Sequence, residues 1–296
     1  MPTPVVFVSG YHRSGTTLVT TAATEATKGT TLTAGHLARH IPTLQRFLQA
    51  APTRTRVPDR GVDRLPATES TPEEYGWLLH HLTGSYTFDA RAADPLHALV
   101  DELAASSPVV ILKNPWDTGR ERLLLRHFPN ARILLVRRSF AAMEDSMARA
   151  FERYVTSSGY LRALVGDRKR AAALLGVIMD PQRRGAMVRQ SRWRIRRSAL
   201  LLAYTARRLP LDRVAFLSYD ELRQDVRAGS TWASHVLDAD AFATAVAAHT
   251  FPEYNPEGGG DRVARLLDRL LARAWRRSRV RQVRAGLLAG ADPNPR

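Results

Sequence analysis

Residues 10–18 read Gly10-Tyr11-His12-Arg13-Ser14-Gly15-Thr16-Thr17-Leu18, and they decide the fold. Val5–Ser9 before them is a run of β-branched and aromatic residues, and a helical pattern begins near Thr16 and continues to about Lys28. Strand, glycine-containing turn, helix is the setting in which a backbone can cradle an anion. Gly10 and Gly15 open conformations closed to residues with a side chain. Successive N–H groups and the positive end of the helix then point at one place. Arg13 puts a guanidinium inside the turn.

Outward from that stretch, three more short apolar runs repeat the pattern. Residues 109–112 form a buried strand closed by Asn114-Pro115, followed by a helix over 118–128 that Pro129-Asn130 ends. Residues 133–136 form another strand, with a long helix from about 139, and 213–217 a fourth, with a helix from about Asp220. Between the first two strands, 52–72 is rich in Pro, Arg, Asp and Thr and reads as a loop. Thr71-Pro72-Glu73-Glu74 then reads as a helix start, with Thr as cap, Pro at the first position and acids in the first turn. Further helices are expected at about 95–106, 182–208 and 261–287, with Glu257-Gly258-Gly259-Gly260 as a flexible loop. Continuous apolar strands alternating with helices predict an α/β fold with a central parallel sheet flanked by helices. No repeat or composition break divides the chain, so 1–296 is expected to be a single domain.

The chain has 296 residues, 44% of them hydrophobic, which excludes a disordered or fibrous protein. It has no cysteine, which excludes a disulfide framework, a thiolate zinc site and a cysteine nucleophile. The net charge is +16, and Lys28, Lys113 and Lys169 are the only lysines. Arginine supplies the rest, either as a coding bias or as a field that attracts anions. No run approaches the roughly 18 apolar residues that span a bilayer. The start MPTPVVFVSG lacks the basic segment and cleavage site of a signal peptide, so a cytoplasmic location is the default. Between Gln182 and Pro210 there are nine arginines and no Asp or Glu. Trp193, Ile195, Leu200, Leu201, Leu202 and Tyr204 in that stretch read as core-facing. The last helix sets Arg262, Arg265, Arg269, Arg273 and Arg276 along one side, with Leu266, Leu267, Leu270 and Ala274 on the other. Peripheral contact with an anionic membrane or lipid is one reading of these helices, and nucleic-acid binding is not expected.

The 10–18 stretch has the glycine spacing of the nucleoside-triphosphate loop G-x-x-x-x-G-K-S/T, but Thr16 stands where that loop has its lysine. A kinase or other phosphotransferase is therefore the rival activity, and a basic nucleotide-binding module without chemistry is the non-enzymatic one. Arg13-Ser14-Gly15-Thr16-Thr17 instead resembles the first motif, K/R-S-G-T-T, of the sulfotransferases that use 3′-phosphoadenosine 5′-phosphosulfate (PAPS). The second motif of that family sets an Arg after a buried strand and a Ser eight residues later. Arg138 and Ser146 have that spacing, with Arg137 as a competitor and Phe140 where a proline is common. Leu217-Ser218-Tyr219-Asp220-Glu221-Leu222 resembles the late Y-E-D/E-L segment. The resemblance implies that Arg13, Ser14, Gly15, Thr16 and Thr17 grip the 5′-phosphosulfate, and that Arg138 and Ser146 hold the 3′-phosphate. It also implies sulfuryl transfer to a hydroxyl on a small molecule, lipid or glycan.

Sulfuryl transfer is an in-line displacement in which positioning and charge stabilisation do most of the work, and no metal is needed. Arg13 and the strand-end Lys113 are the candidates to meet the charge on the leaving nucleotide. A general base should take the acceptor's proton. Some relatives place a His two or four residues after the strand-end Lys, where this chain has Pro115 and Asp117. Others place a Glu about 20 residues past the loop Arg, where His36 stands nearby. His36, Asp117, Glu73 and Glu74 all remain candidates at this point. His40, His80, His81, His97 and His127 show no metal-ligand spacing.

Overall fold

The computed structural model describes residues 4–50, 59–61, 65–249, 251 and 261–288. The expected 257–260 loop and most of the 52–64 stretch lie outside them. Five strands form one sheet: β1 (Val5–Ser9), β2 (Thr30–Thr31), β3 (Val110–Lys113), β4 (Arg132–Arg137) and β5 (Val214–Ser218). The helices are α1 (Thr16–Thr27), α2 (Ala34–Ala38), α3 (Pro42–Gln49), α4 (Tyr75–Thr83), α5 (Ala93–Ala104), α6 (Glu121–His127) and α7 (Phe140–Thr156). They continue with α8 (Gly159–Val165), α9 (Arg168–Met179), α10 (Pro181–Ala206), α11 (Tyr219–Gln224), α12 (Val226–Thr231), α13 (Ala239–Ala247) and α14 (Arg262–Arg284). No helix among the described residues is long and apolar enough to cross a membrane.

The strand order is β2-β3-β1-β4-β5, and every pair is parallel. Alternation along the strands splits the apolar side chains between two cores. Phe7, Leu112, Ile133, Leu135 and Phe216 face one side, with Tyr75, Leu96, Phe128 and Trp275 against them. Val6, Val8, Ile111, Leu134, Val136 and Leu217 face the other, with Val19, Ala23, Phe242 and Val246. Burial on both faces is why the strands read as unbroken apolar runs. The chain leaves β1 toward β2 and β3 on one side and later returns to place β4 on the other. The order therefore reverses between β1 and β4, and a crevice at the strand C-termini there is the usual ligand position in open α/β sheets.

The structure corrects the sequence expectations in four places. Thr71 does not cap a helix: its hydroxyl donates to Pro66 O and receives Thr68 N–H, closing a turn. Residues 72–74 then run extended, with Pro72 bridged to Thr33 and Glu74 to Lys113. The helix starts only at Tyr75, so Glu73 and Glu74 are drawn inside instead of lying on a solvated first turn. The expected 118–128 helix begins at Glu121, after Gly119 at φ +95°. β2 is two threonines and carries no strand signal of its own. Finally, α10 turns Trp193, Leu200, Leu201 and Tyr204 outward, while Leu202 and Ala206 do the packing. In α14 Leu266 is likewise exposed, while Leu267, Leu271 and Trp275 carry the contact.

Candidate functional site

The turn between β1 and α1 is tightly wound. Ser14 N–H donates to Tyr11 O at 3.0 Å, and Arg13 takes a left-handed conformation at φ +71°. Gly15, at φ +94°, is the N-cap of α1 and offers no side-chain cap. A Cβ on Gly15 would stand 2.1 Å from Tyr219 Cδ2, so the ring of Tyr219 closes the space that the glycine leaves. The first N–H groups of any α-helix lack intrahelical acceptors. Here Thr16, Thr17 and Leu18 bring theirs to a cavity of about 610 Å³.

Arg13, Arg138 and Tyr219 line the same cavity. Arg138 Nη1 donates to Arg13 O at 3.0 Å, and its guanidinium carbon lies 4.6 Å from the Tyr219 ring centroid. Arg13 Nε donates to Ser146 Oγ at 2.9 Å. The two motifs, 125 residues apart, thus meet directly. Arg137 points elsewhere: it pairs with Glu221 at 3.3 Å and lines a separate recess along α14 with Arg273, Arg276 and Arg279. Successive strand residues face opposite sides, which separates the two neighbours. Ser14 is fully buried beneath the turn, its hydroxyl without a hydrogen-bond partner, and neither it nor Ser146 lines the cavity.

The cavity's other walls are apolar and aromatic: Leu65, Trp77, Trp116, Tyr154, Tyr160 and Leu161. Glu74 is the one carboxylate among the described lining residues. Its Oε1 accepts from Lys113 Nζ at 2.5 Å, and its Oε2 from Trp77 Nε1 at 3.3 Å with Arg60 at 3.7 Å. Burial would raise the Glu74 carboxyl, but Lys113 and then Arg60 outweigh it and hold the group well below the usual carboxylate range. Its neighbour Glu73 moves the other way, up to about 7: burial and the Glu74 charge raise it against the opposing Arg60. Glu73 Oε1 accepts from Tyr160 OH at 2.7 Å and pairs with Arg60 at 3.2 Å. Lys113 has no exposed surface and meets the cavity only through Glu74.

Of the other candidate bases, Asp117 is buried and occupied with structure. It accepts from Tyr75 OH at 2.6 Å, Phe88 N–H at 2.7 Å and Asn114 Nδ2 at 2.8 Å. His36 lies in a different depression beside Arg39 and Glu69, and its Nδ1 closes a capping box with Thr33 at the start of α2. Of the lining residues that the sequence did not mark as candidates, His12 lies nearest Arg13 in the chain. His12 packs edge-on against Trp116, ring centroids 4.7 Å apart, and burial pushes its pKa down to about 4, with Lys113 and Arg13 adding to the push and Glu74 opposing it. The clue was its place inside the turn, next to Arg13.

These features define the chemistry on offer. An uncapped helix start and two guanidiniums at one end suit a phosphate or phosphosulfate group. Among the described residues no group of three or more His, Asp or Glu is arranged to hold a metal. A model of the sulfotransferase family matches residues 4–227. The chain belongs to that family. The sulfotransferase STF9 from Mycobacterium avium superposes with a TM-score of 0.56 at 18% identity, covering 92% of this chain and 76% of that one. At that identity the likeness concerns the fold. No curated protein matches the chain. The match takes in β1 to β5 and α11, and so contains both the 10–15 turn and Arg138. This sulfotransferase places its cationic end at the β1/β4 reversal of the sheet.

Proposed function

We propose that the enzyme moves a sulfuryl group from PAPS to a hydroxyl on a small molecule, lipid or glycan. One observation carries this reading: a single cavity joins the cationic end to an aromatic chamber, with the ionised Glu74 in its wall. The α1 N-terminus and Arg13 would hold the phosphosulfate, and Arg138 the 3′-phosphate. Trp77, Trp116, Tyr154 and Tyr160 would exclude water around the acceptor. Glu74 would take the acceptor's proton as the acceptor oxygen bonds to sulfur and the bond from sulfur to the leaving phosphate breaks. Arg13 would meet the charge that grows on that phosphate. Lys113 would act as a positioning residue, keeping Glu74 ionised and fixed.

Calorimetry with the desulfated product 3′-phosphoadenosine 5′-phosphate (PAP), and separately with ATP and Mg²⁺, tests the donor. Tight PAP binding without metal is expected, followed by turnover of labelled PAPS on a panel of hydroxyl acceptors. Metal-dependent ATP binding without PAP binding would sink the assignment in favour of phosphotransfer.

The pH profile of kcat/KM follows from the two lowered groups. A base works only when unprotonated, so lowering its pKa extends activity toward acid. The rate is therefore expected to hold as pH falls through the ordinary histidine value of 6.5, and to be lost only near or below about 4. An acid limb near 6.5–7 would point instead to Glu73, raised to about 7, or to a normally titrating histidine.

A further inference from the structure

The outward face of α10 is unlike the rest of the surface. Trp193, Leu200, Leu201 and Tyr204 are 58%, 56%, 54% and 52% exposed, four of the nine large apolar side chains exposed among the described residues. Positions 193, 197, 200 and 204 recur at helical spacing, which puts Arg197 on that face, and Arg208 follows just past the end of the helix. Arg197 lies 5.4 Å from the Trp193 ring centroid, and Arg208 lies 3.9 Å from that of Tyr204. Among the described residues the carboxylate contacts of α10 are made elsewhere on the helix, by Arg183 with Asp180, by Arg192 and Arg196 with Glu144 and by Arg196 with Asp261. Among the described residues neither Arg197 nor Arg208 forms an ion pair with a carboxylate, and no acidic residue occurs between Gln182 and Pro210. α14 packs along α10 and also shows solvent Val263, Leu266 and a series of arginines.

We propose that this face binds the surface of an anionic lipid bilayer. Tryptophan and tyrosine combine an apolar ring with a polar tip and settle at the boundary between headgroups and acyl chains. Leu200 and Leu201 supply apolar area there, and the arginine heads stay among lipid phosphates while their stems lie along the rings. Charge selects this occupant. A second copy of the chain would set one arginine face against another with no carboxylate between them. A nucleic acid would use the arginines but press Leu200 and Leu201 against its phosphate backbone. The binding is peripheral, through a helix lying in the interface plane.

Co-sedimentation of the full chain with phosphatidylcholine vesicles, with and without phosphatidylglycerol, tests the proposal. Binding is expected only to the anionic vesicles and should weaken with salt. Arg197→Glu/Arg208→Glu and, separately, Trp193→Ser/Leu200→Ser should each weaken it on the order of tenfold or more. Both variants should keep the parent's circular-dichroism spectrum and unfolding temperature, which shows that they are folded. Equal binding to neutral vesicles, or unchanged binding by both variants, overturns the proposal. So does a lipid-free dimer that Trp193→Ser/Leu200→Ser dissolves, which would make the face a self-interface. Binding of an oligonucleotide, but not of vesicles, through Arg197 and Arg208 would assign it to nucleic acid. None of these outcomes depends on the donor or acceptor assignment.

Discussion

Glu74→Gln is expected to lower kcat by about 10²- to 10⁴-fold, the usual contribution of a general base, while PAP still binds. The same substitution is expected to destabilise the protein. Lys113 is fully buried, and Glu74 is its sole ion-pair partner among the described residues. Neutralising Glu74 leaves a buried ammonium without its ion-pair partner, which typically costs about 3–5 kcal/mol. A loss of activity alone would therefore be ambiguous. Glu74→Gln/Lys113→Met separates the two effects. Methionine fills a similar volume without a charge, so thermal unfolding should return toward the parent while turnover stays low. Recovery of turnover along with stability would mean that Glu74 only holds the fold together. Full activity in the single variant would remove Glu74 as the base and leave His12 and Glu73, both shifted by its charge, to be tested by His12→Asn and Glu73→Gln. The pair also fixes a pH direction for stability. The Glu74 pKa is lower folded than unfolded, so its contribution is complete above the unfolded value and disappears as pH falls through the folded one.

The strand–turn–helix at 5–27 was legible because its requirements are local. β-branched residues make the strand, two glycines make the turn, and the helix follows within the same stretch. Arg138 was legible as one of a pair, but not as the member facing the cavity. Two neighbours at a strand end point to opposite sides, and only Glu221, which pairs both with Arg137 and with Arg279 of α14, shows which side Arg137 takes. Glu74 was masked by a local pattern. Thr-Pro-Glu-Glu is chemically a good helix start, and what overrides it is a contact with Lys113, 39 residues away. His36 failed to reach the cavity for the same reason. Its distance along the chain from Arg13 suggested a role, whereas its actual partner is Thr33, three residues back. On α10 six apolar residues were expected to face the core, but only Leu202 and Ile195 do, while Trp193, Leu200, Leu201 and Tyr204 face outward. Periodicity records which residues share a side, and the partner on that side is a tertiary fact.

Arg13→Ala and Arg138→Ala should carry the largest effects on the donor. A hydrogen bond to a charged group is worth about 1.5–3 kcal/mol, so either change should weaken PAP binding by roughly ten- to a hundredfold. Arg13→Ala should also reduce kcat by about 10²- to 10³-fold, as removing a donor to a developing anion does elsewhere, while Arg138→Ala should act mainly on affinity. The two losses should not add. Arg138 donates to the backbone carbonyl of Arg13, so removing Arg138 loosens the turn that presents Arg13, and the double variant should lose less than the sum. Arg137→Ala is the internal control, because it sits one residue from Arg138 on the opposite side of the strand. It removes a pair with Glu221 and should leave the dissociation constant for PAP nearly unchanged. If Arg137→Ala weakens PAP more than Arg138→Ala does, the donor sits in the α14 recess and not at the helix start of α1.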